Sequence, residues 1–356
     1  MKIAIIGAGI FGTISAAFLA QSGHSVHLYE SKSQILSGAS GNNSNRLHLG
    51  FHYPRDLETA VQSRQGYEDF RKYFSGACNF TFPCIYALSR EHSRTSTIEF
   101  TDFLESANLS ATEIETNRLL NYGFNTSKIS KAWSTQEGVI DISALKAELL
   151  KKLSRSGVWL NLNTEVKSIS RFGRAWRLEY TSGEACFDLV VIATYGVDNL
   201  KLIDVNKDRS QSLFQATMIL QAKIPAPQFG ITVIDGDFIT VLPKGFSDQS
   251  LIYAPKPSVL AQSNNLEEVI DSARDCSLVE GNAVLLKDRF KSYFPNNNVV
   301  FSDTKIITIR NIESSSTLTD RRVSRLEELA PDLFSIRSGK IDHAIEIAKD
   351  IMSRAQ

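Results

Sequence analysis

The chain has 356 residues, 42% of them hydrophobic, enough for one elaborate globular domain or two. Lys plus Arg and Asp plus Glu number 39 each, so there is none of the basic excess that a nucleic-acid partner usually demands. No window approaches the roughly 18 apolar residues of a membrane-spanning helix, Met1 leads directly into a predicted strand, and four cysteines are scattered without metal-ligand spacing. We therefore expect a cytoplasmic protein with reduced thiols, no bound metal and no integral membrane segment.

The first thirty residues predict a strand, a glycine turn, a helix and a second strand. An apolar run, Lys2 to Ile6, predicts a buried parallel strand, and residues 7–12 then read GAGIFG. A helix-compatible stretch, Thr13 to Gln21, leads to the strand Ser25 to Tyr29, which ends at Glu30. The glycines let a pyrophosphate approach the backbone, the helix N-terminus supplies positive potential, and Glu30 can accept from ribose hydroxyls. This opening predicts a dinucleotide site, and the acid argues against NADP.

The fingerprint does not separate NAD from FAD, so the later strands have to. Residues 188–196, DLVVIATYG, predict a buried strand ending in small residues, after strand-like stretches at Trp159 to Ile169 and Trp176 to Tyr180. This order resembles the second dinucleotide-contacting segment of glutathione-reductase-type FAD proteins, where a strand ends in Ala-Thr-Gly; here Tyr195 precedes the glycine. No second GxGxxG is present, so we expect electrons to enter from the substrate.

A polar loop follows the acid, and residues 38–56 read GASGNNSNRLHLGFHYPRD. The loop resembles the corresponding segment of the D-amino acid oxidase superfamily and is most similar to that of L-2-hydroxyglutarate oxidase-like proteins. Two runs carry the resemblance, Ala39 to Ser44 and His48 to Tyr53. Asn45 and Arg46 stand where that family prefers Gly-Val. An added guanidinium can reach an anionic substrate, so the departure concerns the substrate more than the chemistry.

This resemblance implies FAD as the cofactor. It places the small loop residues against the pyrophosphate or the flavin edge, His48 beside the flavin ring, and the C-terminal turn at Ser338 over the pyrimidine end. The implied cofactor-binding residues are Gly7, Gly9, Ile10, Phe11, Gly12, Glu30, Ser31, Ser40, Gly41, Asn42, Asn43, Ser44, Arg46, Leu47, His48, Val166, Ala193, Thr194, Gly196, Ser338, Gly339, Lys340 and Ile341.

The resemblance also implies an α/β fold, a glutathione-reductase-type FAD-binding Rossmann-like domain with an inserted α+β substrate domain built on an antiparallel sheet. Residues 1–56, 137–211 and 313–356 are assigned to the FAD-binding domain, and residues 57–136 and 212–312 to the substrate-binding domain. The second insertion is rich in strand-like stretches, and Asp235-Gly236 predicts a hairpin turn between two of them.

The expected activity is an FAD-dependent oxidoreductase that takes hydride from a C–OH or C–NH₂ carbon next to an acidic group, as in a 2-hydroxy acid or an amino acid. The electron acceptor is O₂ or another, unidentified compound. The expected catalytic residues are His48, His52 and Arg310, and the expected substrate-binding residues are Arg46, Tyr53, Lys244, Tyr253 and Arg310. A hydroxy acid needs a base, for which His48 is the candidate, whereas a neutral amine needs none.

Two alternatives stay open. The first keeps the fold but acts on a sugar or another specialised metabolite, for which the Asn45-Arg46 pair leaves room. The second is a non-catalytic flavin-binding module, against which the histidine-rich loop argues. Arg310 matches in position the arginine that superfamily members direct at a substrate carboxylate or phosphate, and a bidentate guanidinium suits that role better than a lysine.

Overall fold

The structure is a computed structural model that describes residues 1–196, 212–235, 238–314 and 320–355. Its strands are β1 (Lys2–Ile6), β2 (Ser25–Tyr29), β3 (Arg46–Leu47), β4 (Cys78–Asn79), β5 (Cys84–Ser89), β6 (Thr112–Ile114), β7 (Ile129–Thr135), β8 (Gly138–Ile140), β9 (Trp159–Asn161), β10 (Val166–Phe172), β11 (Ala175–Tyr180), β12 (Gly183–Phe187), β13 (Leu189–Ile192), β14 (Ser212–Lys223), β15 (Gly230–Ile234), β16 (Thr240–Pro243), β17 (Ser250–Tyr253), β18 (Val259–Ser263), β19 (Val300–Glu313), β20 (Arg325–Ala330) and β21 (Leu333–Arg337). Its helices are α1 (Ile10–Gln21), α2 (Leu57–Tyr73), α3 (Thr97–Ser106), α4 (Ile142–Arg155), α5 (Pro255–Ser258), α6 (Leu266–Arg274), α7 (Cys276–Tyr293) and α8 (Ala344–Arg354).

A six-stranded sheet contains the N-terminal strand and has the order β20–β21–β13–β1–β2–β9. Its strands run parallel except β20, which is antiparallel to β21 at the edge. Ile3 and Ile5 enter one hydrophobic core, and Ala4 and Ile6 enter another on the opposite face. Both faces are therefore covered, which is why the strand reads as continuously apolar. The predicted strand–turn–helix–strand opening is confirmed, with α1 starting at Ile10 directly after the glycine turn.

A nine-stranded sheet has the path β18–β14–β17–β16–β15–β5–β7–β6, with β19 also paired to β14. Strands β5 to β7 come from the first predicted insertion and β14 to β19 from the second, so both insertions build one sheet. The sheet is mixed rather than purely antiparallel, because β5 and β15 pair in parallel where the insertions meet. The predicted hairpin strands β15 and β16 pair antiparallel, while Gly236 of their turn lies outside the described residues.

A short three-stranded sheet, β3–β8–β4, connects the polar loop with the chain that leads into α4. Arg46 pairs with Val139 and Leu47 with Gly138 in this sheet. A further antiparallel sheet, β10–β11–β12, packs on the six-stranded sheet through Val166 and adjoining apolar residues. The loop is therefore held by backbone pairing directly before position 48.

The predicted domain boundaries remain a proposal. Helix α2, which sequence reasoning assigns to the substrate domain, packs Tyr67, Phe70 and Phe74 into the same core as α1 and α8. The predicted boundary at residue 211 lies outside the described residues. We propose an FAD-binding domain of residues 1–56, 137–211 and 313–356 and a substrate-binding domain of residues 57–136 and 212–312, with α2 at the junction between them.

Within the described ranges, no helix combines the length and apolar character that crossing a membrane requires. Nor do His, Cys, Asp or Glu side chains gather there in a group of three or more that could hold a metal ion. The cysteines in these ranges are free thiols, and burial raises the pKa of both Cys78 and Cys84 to about 12. These two thiols are therefore protonated and unreactive at neutral pH.

The chain segments at Gly339 and Arg322 cross closely, and the first testable prediction concerns this crossing. A Cβ at Gly339 would lie 1.7 Å from the carbonyl oxygen of Arg322, so Gly339→Ala forces the two segments apart and should lower the free energy of unfolding by about 1–3 kcal/mol. Gly281 lies in α7 with open space around it, and Gly281→Ala should raise stability by about 0.5–1 kcal/mol. Urea unfolding of both variants checks this; equal effects would contradict the crossing.

Candidate active site

A cavity of about 1080 Å³ is lined by residues of both large sheets. On one side lie Gly7, Glu30 and Ala193, which directly follow β1, β2 and β13. On the other side lies the stretch Ile307 to Ile312 of β19. Ligands of open α/β sheets bind outside the carboxyl ends of the parallel strands, so this cavity is the candidate active site.

The glycine turn after β1 fits a dinucleotide pyrophosphate. Gly7 has a φ of +100°, and a Cβ there would lie 2.7 Å from the carbonyl oxygen of Ala193. A Cβ at Gly12 would lie 2.0 Å from the carbonyl oxygen of Gly7. Both positions therefore require glycine, and the first residues of α1, Ile10 and Phe11, reach the cavity wall with the positive end of the helix.

Two polar side chains hold this turn in place. Ser40 Oγ accepts from the N–H of Ile10 at 2.9 Å, which satisfies one of the unpaired N–H groups at the start of α1. Glu30 Oε2 accepts from the N–H of Ala8 at 2.8 Å, and its Oε1 accepts from the N–H of Lys32 at 2.9 Å. Ser40 and Glu30 both line the cavity, as their predicted contacts with pyrophosphate and ribose require.

Arg46 is buried in a polar network next to the loop. Its Nη1 lies 3.2 Å from Glu137 Oε2 and also donates to the Tyr86 hydroxyl, while Nη2 donates to Thr232 Oγ1. Glu137 Oε1 accepts from the N–H of Leu49 at 2.7 Å. Sequence reasoning predicts Arg46 as a ligand of the substrate anion. In the structure its guanidinium instead meets a carboxylate and two hydroxyls of the protein.

His48 is buried beside a lysine and a second histidine. Its Nε2 lies 3.4 Å from Lys340 Nζ, and its ring centroid lies 6.0 Å from that of His52. The Nδ1 atoms of both histidines are buried and have no hydrogen-bond partner in the described part of the chain. Burial, then the charges of Lys340 and Arg46, lower the pKa of His48 well below its ordinary value. The imidazole is therefore neutral at pH 7.

Lys340 and Asp342 both titrate near neutral pH. Burial lowers the pKa of Lys340 to about 7, and the nearby charge of Arg322 adds to this. Burial raises the pKa of Asp342 to about 8, partly opposed by Lys340. As pH rises through this range, the lysine loses its positive charge and the aspartate gains a negative one. This end of the cavity therefore becomes less attractive to anions above neutral pH.

Arg310 lines the cavity from β19. Its Nη2 donates to the Tyr253 hydroxyl at 2.8 Å and approaches Gln215 Oε1 at 3.3 Å. These two contacts orient the guanidinium, and its buried Nε has no hydrogen-bond partner among the described residues. Tyr253, predicted as a substrate ligand, does not line the cavity and acts on Arg310 instead.

A second guanidinium, that of Arg322, enters the cavity wall from the segment 320–324, here called the strap. The strap lies along the first turns of α2 through side-chain contacts. These contacts join Arg321 to Glu58 (2.7 Å), the Arg322 N–H to Thr59 Oγ1 (2.9 Å) and the Ser324 N–H to Gln62 Oε1 (2.8 Å). Ser324 Oγ accepts from the N–H of Gly339 at 2.7 Å, so the strap and the C-terminal turn fix each other.

Most residues predicted to bind the cofactor line the cavity. They are Gly7, Gly9, Ile10, Phe11, Glu30, Ser31, Ser40, Asn42, Asn43, Ser44, Arg46, His48, Val166, Ala193, Thr194, Ser338, Gly339, Lys340 and Ile341. The remaining ones, outside its wall, are Gly12, Gly41, Leu47 and Gly196. Residues as far apart in sequence as His48 and Lys340, 292 positions, thus meet at one cavity, although their contacts with a cofactor stay predictions.

The other predicted catalytic and substrate-binding residues lie at three kinds of position. Arg310 and His48 line the cavity, and His52 and Tyr53 pack near His48, the Tyr53 ring centroid at 5.9 Å. Lys244 is exposed in the turn between β16 and β17, and its Nζ donates to Gln221 Oε1 at 2.5 Å. The structure does not bring Lys244 to the cavity.

Sequence patterns did not indicate several groups of the site. Glu137 and Asp342 stood out only as acids beside a strand and a helix, and Arg322 follows a polar stretch with no periodic signal. His343 is also buried, with its ring nitrogens 3.1 Å from Ser63 Oγ and 3.0 Å from Ser324 Oγ. For Glu137 the one available signal in the sequence was its position, as an acid directly before the apolar run Gly138 to Ile140.

The second testable prediction concerns the helix start. Ser40→Ala removes the acceptor for the Ile10 N–H, so FAD affinity should fall about fivefold, equivalent to about 1 kcal/mol. Fluorescence of flavin released on dilution measures this. Ser22→Ala is the control, because Ser22 Oγ bonds to the Phe18 carbonyl at the other end of the same helix. Equal flavin loss in both variants would show that Ser40 has no special role.

The chain is similar to several known enzymes. The family described as DAO, FAD dependent oxidoreductase, matches residues 2–335. The FAD-dependent monooxygenase FPY4 of Fusarium mangiferae is 27% identical over 347 residues, covering 96% of this chain and 87% of that protein. The finer resemblance to 2-hydroxyglutarate oxidases stays a prediction.

Two solved structures share the fold along almost the whole chain. L-proline dehydrogenase from P. horikoshii has a TM-score of 0.76 at 15% identity, covering 100% of this chain and 93% of that one. Glycine oxidase from Geobacillus kaustophilus has a TM-score of 0.75 at 17% identity, covering 99% and 94%. The predicted FAD-binding α/β fold is thereby confirmed. This chain belongs to the DAO family of FAD-dependent oxidoreductases and is an enzyme that uses FAD.

Proposed function

We propose that this enzyme oxidises a carbon that bears an amino group, or a hydroxyl group, next to an acidic group of a small anionic molecule. The observation that carries the proposal is the positive end of the cavity. Arg310, Arg322 and Lys340 line its wall, and the charges of both arginines act on Lys340, which lies 3.4 Å from His48. The carboxylates among the described wall residues are Glu30 and Glu165, which follow β2 and precede β10. A guanidinium group in a partly buried wall favours a carboxylate ligand, which it can bind through two N–H groups.

The same charges favour an amine over an alcohol. Oxidising an alcohol requires a base for the hydroxyl proton, and burial together with the cations around His48 makes its imidazole a weak base. An amine needs only to be neutral, and a positive field lowers the pKa of a bound ammonium group. We therefore favour an amino acid over a hydroxy acid as the substrate, with His48 as a neutral hydrogen-bonding group.

Each residue then has a distinct task. Bound FAD supplies the two-electron acceptor for the substrate hydride. Arg310, oriented by Tyr253, holds the carboxylate and so directs the adjacent C–H bond. Lys340 contributes positive charge to this end of the cavity below neutral pH. The ultimate electron acceptor in this proposal is O₂ or another oxidant.

A second candidate function is monooxygenation of a specialised metabolite. It is favoured by the relative that matches 96% of this chain and bears the name FAD-dependent monooxygenase. The two functions differ in their need for oxygen. A monooxygenase inserts an atom of O₂ into its product. The proposed oxidation needs no O₂ to remove hydride from the substrate, and its final oxidant, O₂ or another compound, is needed only afterwards.

The third testable prediction follows from that difference. Mixed anaerobically with a panel of L-amino acids, other amines bearing a carboxylate and 2-hydroxy acids, the holoenzyme should lose its visible flavin absorbance with at least one member. Failure with every member, together with incorporation of labelled oxygen into a product in air, would replace the proposal with the monooxygenase.

In that assay, Arg310→Met should raise the substrate concentration for half-maximal bleaching about thirtyfold or more. The variant removes the charged partner of the substrate carboxylate, which weakens binding by about 2–5 kcal/mol. Arg310→Lys should restore part of this affinity. Lys244→Met should change nothing, since its side chain lies off the cavity. An equal loss in the Lys244 and Arg310 variants would exclude Arg310 as the carboxylate ligand.

The fourth testable prediction is a pH dependence. The pKa of Lys340, lowered to about 7, means that its positive charge is present below that pH and lost above it, and Asp342 becomes negative near pH 8. Binding of propionate, which has no group titrating in this range, should therefore weaken from about pH 6 to about pH 9. Perturbation of the flavin spectrum measures the affinity.

Lys340→Met should flatten that profile, and Lys349→Met, which removes a surface lysine paired with Asp69, should leave it unchanged. Propionate affinity that is constant or increases with pH in the unmodified enzyme would contradict the assigned direction.

A further inference from the structure

We propose that Glu137 is a positioning residue for His48, and that with Arg46 it clamps the histidine loop to the nine-stranded sheet. The Glu137 side chain has 0% exposure and directly precedes β8. Its Oε1 accepts from the N–H of Leu49 at 2.7 Å, one residue after His48. The acid is therefore attached to the backbone that carries the imidazole.

The segment 137–139 holds the loop on both sides of His48. Before it, Arg46 and Leu47 pair through their backbone with Val139 and Gly138. After it, Leu49 donates to the Glu137 carboxylate. His48 thus lies between two anchors that come from one short stretch of chain.

The second oxygen of the carboxylate faces the nine-stranded sheet. Glu137 Oε2 accepts from the Tyr86 hydroxyl at 2.8 Å and lies 3.2 Å from Arg46 Nη1. Arg46 Nη2 donates to Thr232 Oγ1. Tyr86 and Thr232 are directly opposite each other in the parallel pair β5 and β15. The ion pair therefore docks the loop where the two insertions meet.

The imidazole needs such an external anchor. Its Nδ1 has no hydrogen-bond partner among the described residues, and its Nε2 makes a long 3.4 Å approach to Lys340. Side-chain bonds of His48 therefore do little to fix the ring, and the backbone sets its place. A buried ion pair adds little stability over an apolar pair of equal volume, so we assign this one a geometric role.

The pair also sets the local charge. Arg46 is among the groups that lower the pKa of His48, and Glu137 lies directly against Arg46. Neutralising Glu137 leaves the Arg46 charge uncompensated, which lowers the pKa of His48 further. Glu137 thus governs both where the imidazole lies and how readily it takes a proton.

The fifth testable prediction uses hydrogen–deuterium exchange of the holoenzyme, with no substrate, so it is independent of the proposed function. The N–H groups of Leu49 and Gly50 both donate to the Glu137 carboxylate. In Glu137→Ala, exchange of each amide should become about tenfold faster, as expected for the loss of its hydrogen bond to a charged acceptor. Glu137→Gln retains an acceptor oxygen and should recover most of the protection. The visible spectrum of the bound flavin should shift in the alanine variant and return in the glutamine variant.

Two controls separate positioning from general destabilisation. Asp69→Asn removes a buried carboxylate of α2 whose partner, Lys349 of α8 at 2.8 Å, is not part of the loop, and should leave exchange at residues 45–51 unchanged. Tyr86→Phe removes one donor to Glu137 but keeps the Leu49 contact, and should also leave it unchanged. Acceleration spread evenly over the protein, including β1, or no acceleration in either Glu137 variant, would overturn the proposal.

Discussion

Buried positive charge is the constraint on which this site depends. Arg46, Arg310, Arg322 and Lys340 all line one cavity, and each must find an acceptor in the protein or in a ligand. Arg46 has its acceptor in Glu137. Arg310 instead donates to the neutral groups of Tyr253 and Gln215, which do not compensate its charge, so the cavity is suited to an anion.

Burial and these charges together control proton transfer. Burial is the larger cause and the neighbouring cations add to it, so the pKa of His48 lies well below its ordinary value and that of Lys340 falls to about 7. The preference for an amine over an alcohol follows from this environment rather than from any single residue. Substrate selection and the choice of chemistry therefore both depend on charged groups held in a buried cavity.

The fold supplies the geometry by bringing remote segments together. The six-stranded sheet presents the glycine turn, the nine-stranded sheet presents Arg310, and the strap on α2 presents Arg322. The short sheet β3–β8–β4 holds the loop between them. Because the loop is fixed by contacts to all these parts, a small shift of one sheet changes the position of the imidazole relative to the guanidinium groups.

Local sequence patterns predicted the first elements of the fold, and the family resemblance implied FAD. Apolar runs and glycines fixed β1, α1 and β2 to within a few residues, because these patterns are local and depend on burial and backbone geometry alone. The sequence also indicated Glu30, which follows a predicted strand, and the family resemblance implied His48 and Arg310. Each of these signals lies within a short stretch of sequence and does not depend on residues elsewhere in the chain.

Only the tertiary structure decided which charges are compensated. Arg46 contacts Glu137, 91 positions away in sequence, and Thr232, 186 positions away, and no local sequence pattern predicts such contacts. The sequence therefore suggested Arg46 and Lys244 as anion ligands, whereas the fold gives the first an internal partner and leaves the second on the surface. Side chains find their partners through strand order and register, which arise only when the sheets assemble, and for that reason Glu137 and Arg322 were visible only in the folded chain.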